Sequence, residues 1–172
     1  MNNRVAIVGS VLLVALGVAY FLIKKKKNDD DDDDKPAKCD TSSLIGKAFY
    51  ITANNGQQVS GGSDGYTAFS TNRDSWERWG FEANKQVSGA VQIKNMQHGL
   101  YLQAYDNGGV DSSTSSPDTW ESFKVEFLDD SCKKIALKSY HGFYLGVSSD
   151  NTGLTNQAAT VGVGETFMLT MA

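Results

Sequence analysis

The chain is 172 residues long, with a formal net charge of −4, 10% aromatic residues, two prolines and two cysteines. That length suits one domain with an appendage. From Thr41 onward nine Lys/Arg stand against thirteen Asp/Glu, which gives no electrostatic footprint for nucleic acid, and two cysteines make neither a disulfide framework nor a zinc constellation.

The first element is the uncharged run Val5 to Ile23. As a helix it measures about 28 Å, close to the hydrocarbon thickness of a bilayer, and a lone segment in lipid must satisfy its own backbone groups. Lys24, Lys25, Lys26 and Lys27 follow directly. That is unlike a cleaved signal peptide, which carries its charge in front and small residues behind. Residues 1–27 are therefore expected to be a single-pass transmembrane anchor, a spanning α-helix with its flanking lysines. Its four lysines meet anionic headgroups, at about 1 kcal/mol each near the surface. They outweigh Arg4, so the positive-inside rule places the remainder of the chain in the cytosol. Residues 28–40 follow as a linker. Its unbroken run Asp29 to Asp34 reads as a self-repelling extended spacer; a calcium site needs ligands held at fixed angles.

Residues 41–172 repeat themselves. His98-Gly99 and His141-Gly142 lie 43 residues apart, and Asn55-Gly56 lies 43 residues before the first of them. Trp120-Glu121-x-Phe123 matches Glu165-x-Phe167, and Trp76-Glu77-x-Trp79 precedes both at a spacing of 44. Three units of about 43 residues result, near 44–86, 87–130 and 131–172. Each opens on an apolar pair (Phe49 and Ile51, Val91 and Ile93, Ile135 and Leu137), turns at the Gly, and reaches a further apolar anchor at Val59, Leu102 or Leu145. A Gly/Asp/Asn/Ser-rich stretch then leads to the Glu-x-Phe phrase. Alternation in Phe123-Lys124-Val125-Glu126-Phe127 is that of a half-buried strand. No helical periodicity is sustained after Lys38. The expected fold is all-β with about four short strands per unit. Three units are too few to close a propeller, and an open solenoid would want atypical capping repeats. A β-trefoil closing around a pseudo-threefold axis remains, with Val59, Leu102 and Leu145 in one core layer and Trp79, Phe123 and Phe167 in another.

The phrases His98-Gly99-Leu100-Tyr101-Leu102, His141-Gly142-Phe143-Tyr144-Leu145 and Trp120-Glu121-Ser122-Phe123 resemble those of fascin-like β-trefoil domains, over Leu44 to Ala172. The resemblance implies a trefoil, and it implies an actin-type filament among the expected partners. The first unit departs from the pattern, with Asn-Gly-Gln-Gln-Val at residues 55–59. Fascins crosslink with several trefoils; this chain has one. Ricin-type sugar-binding trefoils share the symmetry, but their Gln-x-Trp phrase is absent here.

No constellation points to catalysis. His98 and His141 are the only histidines; they occupy equivalent turns that the threefold keeps apart, and are expected to hydrogen-bond locally. Gly61-x-Ser63-x-Gly65 lies in a β loop, without the strand before and helix after that a nucleophile elbow needs. Cys39 and Cys132 are expected as free thiols, with one bridge between them as the alternative. Asp106 to Asp118 reads as a long solvated loop, and Lys133, Lys134 and Lys138 as a basic patch open to an acidic partner. No enzyme activity, cofactor or metal is expected. The reading is a structural tether between a bilayer and a protein lattice, either actin filaments or the capsid of a virus with an internal membrane. A membrane-anchored lectin-like module is the alternative. Under the expected topology, protease added to sealed right-side-out cells spares the large domain; its digestion there would reverse the orientation.

Overall fold

The computed structural model describes residues 39–172; the expected anchor with its four lysines, and the acidic run, lie outside the described residues. Among the described residues no helix is long and apolar enough to cross a membrane. Cys39–Ala172 forms one compact unit. It contains twelve strands, four in each repeat. The first repeat has β1 (Ala48–Thr52), β2 (Gln58–Gly61), β3 (Thr67–Ser70) and β4 (Arg78–Ala83). The second has β5 (Val91–Asn95), β6 (Tyr101–Ala104), β7 (Val110–Thr114) and β8 (Phe123–Phe127). The third has β9 (Lys134–Ser139), β10 (Tyr144–Val147), β11 (Leu154–Ala158) and β12 (Phe167–Met171). The span Asp106 to Asp118 is thus not all loop, because β7 runs through it. Its Ser and Thr residues alternate between barrel and solvent, which hides the strand from a search for apolar periodicity.

The pairings close. β1 lies against β4, β4 against β5, β5 against β8, β8 against β9, β9 against β12, and β12 returns to β1. Six antiparallel strands thus make a ring without a free edge. The hairpins β2–β3, β6–β7 and β10–β11 hang from it at threefold-related places. Each repeat enters its hairpin through a turn whose glycine has a positive φ: Gly56 at 81°, Gly99 at 72° and Gly142 at 87°. This left-handed backbone favours residues without a Cβ, which explains why the Gly of the repeated phrase persists where its His does not.

The strand registers equate residues across repeats. Trp79 pairs with Asn95, Phe123 with Ser139, Gly80 with Lys94, and Lys124 with Lys138. Trp79, Phe123 and Phe167 are buried together with Val59, Leu102 and Leu145 in one core cluster. Full burial of such side chains contributes roughly 1.5–3 kcal/mol each. Trp79 is larger than its two counterparts, and two local adjustments accommodate it. Its indole N–H donates to the Val59 carbonyl at 2.8 Å. Gly61 faces its ring, where a Cβ would come within 2.9 Å; Ala104 and Val147 hold the matching positions beside the smaller Phe123 and Phe167.

Cys39 and Cys132 are joined in a disulfide, with Cα atoms 5.4 Å apart; the free-thiol expectation is corrected. They lie 93 residues apart in sequence, a distance that no local pattern can bridge. Barrel closure brings the start of the domain beside the β8–β9 hairpin loop that carries Cys132. In the chain-entropy account, closing a loop of about this size contributes roughly 4–5 kcal/mol, less any native strain. Intact mass after alkylation without reductant should show both thiols protected. Reduction, or the paired change Cys39→Ser and Cys132→Ser, should lower unfolding free energy by about 2–5 kcal/mol, read as a lower urea midpoint.

Candidate functional site

The recurring Glu is the residue that builds the surface. Ser75–Glu77 and Thr119–Glu121 are single 3-10 turns that enter β4 and β8. In each, the carboxylate folds back as a capping box: Glu77 Oε2 accepts from the Asp74 N–H at 3.1 Å and Glu121 Oε2 from the Asp118 N–H at 2.7 Å. Glu165 Oε2 accepts from the Gly162 N–H at 2.9 Å in the third repeat. Glu77 and Glu121 are buried. Because the Glu turns in and the aromatic two residues later fills the core, the residue just before the Glu is left at the surface. That residue is Trp76 in the first repeat, 46% exposed, and Trp120 in the second, 38% exposed.

Each tryptophan meets the histidine of the following repeat. Trp76 and His98 pack edge to face with ring centres 5.2 Å apart, and Trp120 and His141 do so at 5.3 Å. Trp120 also packs against Tyr105 at 5.5 Å, and His141 against Tyr140 at 5.7 Å. Tyr105, Trp120, His141 and Tyr140 therefore form a continuous run of four rings at the junction of the second and third repeats, with Tyr140 53% exposed. The His98 N–H makes a local turn bond of the expected kind, to Asn95 Oδ1 at 3.0 Å, while the imidazole Nε2 of each histidine is buried without a hydrogen-bond partner and the rings pack instead. At the junction of the third and first repeats Gly164 replaces the tryptophan and Asn55 the histidine. Both members of the pair are absent there together.

The same two junctions carry a second recurring group. Tyr101 donates to Glu82 Oε2 at 2.7 Å, and Lys94 Nζ sits 5.1 Å from the Tyr101 ring centre. Tyr144 donates to Glu126 Oε1 at 2.7 Å, with Lys138 Nζ 5.0 Å from its ring centre. Burial first, and the bond to Glu82 second, push the Tyr101 phenol up to about 12, so the fold holds its neutral form through ordinary pH. At the third junction Thr52 donates to Gln58 Oε1 at 2.9 Å in the matching place.

The lysines singled out in the sequence do not form one patch. Lys134 lines a depression with Thr52, Val161 and Met168, whereas Lys138 lines a separate cleft beside Lys124 and Tyr140. Lys133 lies at the hairpin loop, where the N–H groups of Lys133 and Lys134 both donate to Asp129 Oδ1. The Ser131 hydroxyl, with these N–H groups behind it, holds the Asp129 carboxyl below its usual range. The ring run at the second junction escaped the sequence reading. Its signal was present, since Trp76 and Trp120 hold one position of the repeated phrase and His98 and His141 another, but their meeting across repeats depends on the barrel.

Residues 47–169 match the Fascin domain family, and the chain belongs to that family. Because the Glu cap presents Trp120, its loss should be read in stability and in the ring run together. Glu121→Ala leaves the part-buried Asp118 N–H without its charged acceptor and should cost about 1–3 kcal/mol, seen as a lower urea midpoint with an altered Trp fluorescence maximum. Glu121→Gln keeps an acceptor oxygen and should lose less.

Proposed function

We propose that this single-trefoil member of the Fascin domain family is a non-enzymatic, membrane-anchored interaction module that tethers a bilayer to a protein lattice. The observation that carries the reading is the run of rings on Tyr105, Trp120, His141 and Tyr140, with Trp120 and Tyr140 exposed, held on a closed barrel. Aromatic side chains bury much area on association at little conformational cost and are enriched at the centres of interfaces. The apolar run Val5 to Ile23 and the lysines behind it support an anchor, and the acidic run supports a spacer that holds the barrel off the membrane. One trefoil on one anchor suits attachment to a filament such as actin, or to the capsid of a virus with an internal membrane, better than it suits bundling.

A second reading is a carbohydrate-binding module on the outer face of the membrane. It is favoured by the Cys39–Cys132 bridge, since such bridges persist in oxidising compartments and are rare in the cytosol. Exposed Trp120 and Tyr140 are flat faces on which sugar rings stack. The bridge and Lys24 to Lys27 thus pull the orientation in opposite directions, and the domain's side of the membrane separates the readings.

Residues 39–172 used as bait should recover filament or shell proteins, and the paired change Trp120→Ala and Tyr140→Ala should weaken capture at least about tenfold, or 1.4 kcal/mol. Retention of specific glycans on an array, abolished by the same pair of changes, would replace the tether with the carbohydrate reading.

A further inference from the structure

At the second–third junction, the position that is Gly80 in the first repeat is Lys124, and its cross-strand partner is Lys138. Two ammonium-bearing side chains are therefore set directly opposite each other on one face of the β8–β9 pair, an arrangement that repels unless a counter-charge sits between them. The equivalent Lys94 makes the one ion pair among the described residues, Nζ to Glu82 Oε1 at 3.9 Å. Neither Lys124 nor Lys138 has such a pair there. Lys138 rests over the Tyr144 ring, and Glu126 is engaged by the Tyr144 hydroxyl.

The two lysines line a cleft of about 460 Å³ together with Ser122, Glu126, Ser139 and Tyr140. Ser139 is 5% exposed, and its Oγ has no hydrogen-bond partner. In the first junction the matching residue is Asn95, whose amide N and O both have partners: Nδ2 donates to the Trp76 carbonyl at 2.7 Å, and Oδ1 accepts from the Gln97 and His98 N–H groups. The second junction thus exchanges a satisfied Asn for a shorter Ser with an unmet hydroxyl, and a Gly for a second lysine.

We infer that the cleft between Lys124 and Lys138 is a binding site for a phosphate group, with the two ammonium groups as its cationic walls; Ser139, which pairs with core Phe123, turns its hydroxyl to the other face of the strand pair. A doubly charged tetrahedral oxyanion satisfies two point charges at once, the setting in which lysine binds phosphate. The Glu126 carboxylate also lines the cleft, where the Tyr144 hydroxyl donates to its Oε1 at 2.7 Å; its charge opposes any anion bound there. Tyr140 joins this cleft to the ring run, so a phosphate-bearing ligand reaches both. The site stands on its own geometry and does not depend on the tether.

Cys39–Ala172 is one compact unit with a hydrophobic core of its own, so residues 39–172 are the object for the test, with inorganic phosphate as the probe at constant ionic strength. Amide shifts should saturate and centre on Lys124, Lys138, Ser139 and Tyr140, and phosphate should raise the melting temperature. The paired change Lys124→Gln and Lys138→Gln should weaken phosphate affinity at least about tenfold and remove that rise without lowering the phosphate-free melting temperature. Lys85→Gln, at an exposed residue outside the cleft, should retain both responses. Shifts that follow ionic strength alone, or that spread over all lysines, would overturn the site. Cosedimentation with phosphoinositide vesicles, lost in the paired variant, would identify a lipid headgroup as the source; phosphate saturation without vesicle binding would identify a free phosphate compound.

Discussion

The hydrogen-bonded contact between β12 and β1, in which Phe49 lies opposite Met171 and Ile51 opposite Leu169, joins the end of the domain to its beginning. Without it the six-strand ring would have two open edges, and the apolar faces of the first and third repeats would meet water. None of the three units can exclude solvent alone, because each supplies only a third of the wall. Closure is costly in chain entropy, since nearly the whole domain separates the paired strands. The Cys39–Cys132 bridge, which ties the start of the domain to the β8–β9 loop, lowers that cost by confining the unfolded chain.

Once closed, the barrel makes three junctions between repeats, and they have diverged. Two keep a Trp–His contact and a Tyr–Glu–Lys group, and the third has neither. Symmetry is retained where packing demands it, in the positive-φ turn glycines, the inward-folded Glu and the core aromatic. It is lost at the exposed tryptophan position and at buried polar positions of the junctions, where Gln58 stands for Tyr101 and Ser139 for Asn95. That division is expected if the core is constrained by shape and the junctions by whatever binds there. Trp79 with Gly61 shows the rule inside the core: a larger ring is accommodated by removing a Cβ from its neighbour, so the local volume is conserved.

The second–third junction differs from the first by a few residues with linked consequences. Tyr105 and Tyr140 extend the Trp–His pair into a run of rings, while Lys124 and Ser139 replace Gly80 and Asn95. Aromatic faces and a cationic cleft therefore adjoin on one side of a rigid barrel. The side chains are held by strands and capped turns, not by long loops, so little conformational freedom is lost when a partner docks.

Much of this was written in the sequence. Period-two alternation and a threefold repeat of Gly-bearing turns and Glu-x-aromatic phrases determine an all-β trefoil and the residues of its core, because burial and positive φ act residue by residue and leave a pattern at fixed spacing. The apolar run and its lysines are legible on the same ground, through length and charge. What joins distant positions was decided only by the tertiary structure. Cys39 reaches Cys132, Trp120 meets the histidine of the next repeat, and Lys124 stands opposite Lys138. Strand β7 was also hidden, since its small polar residues carry no apolar period. Such contacts depend on how repeats close against one another in space, and the spacing within a single repeat holds no record of that.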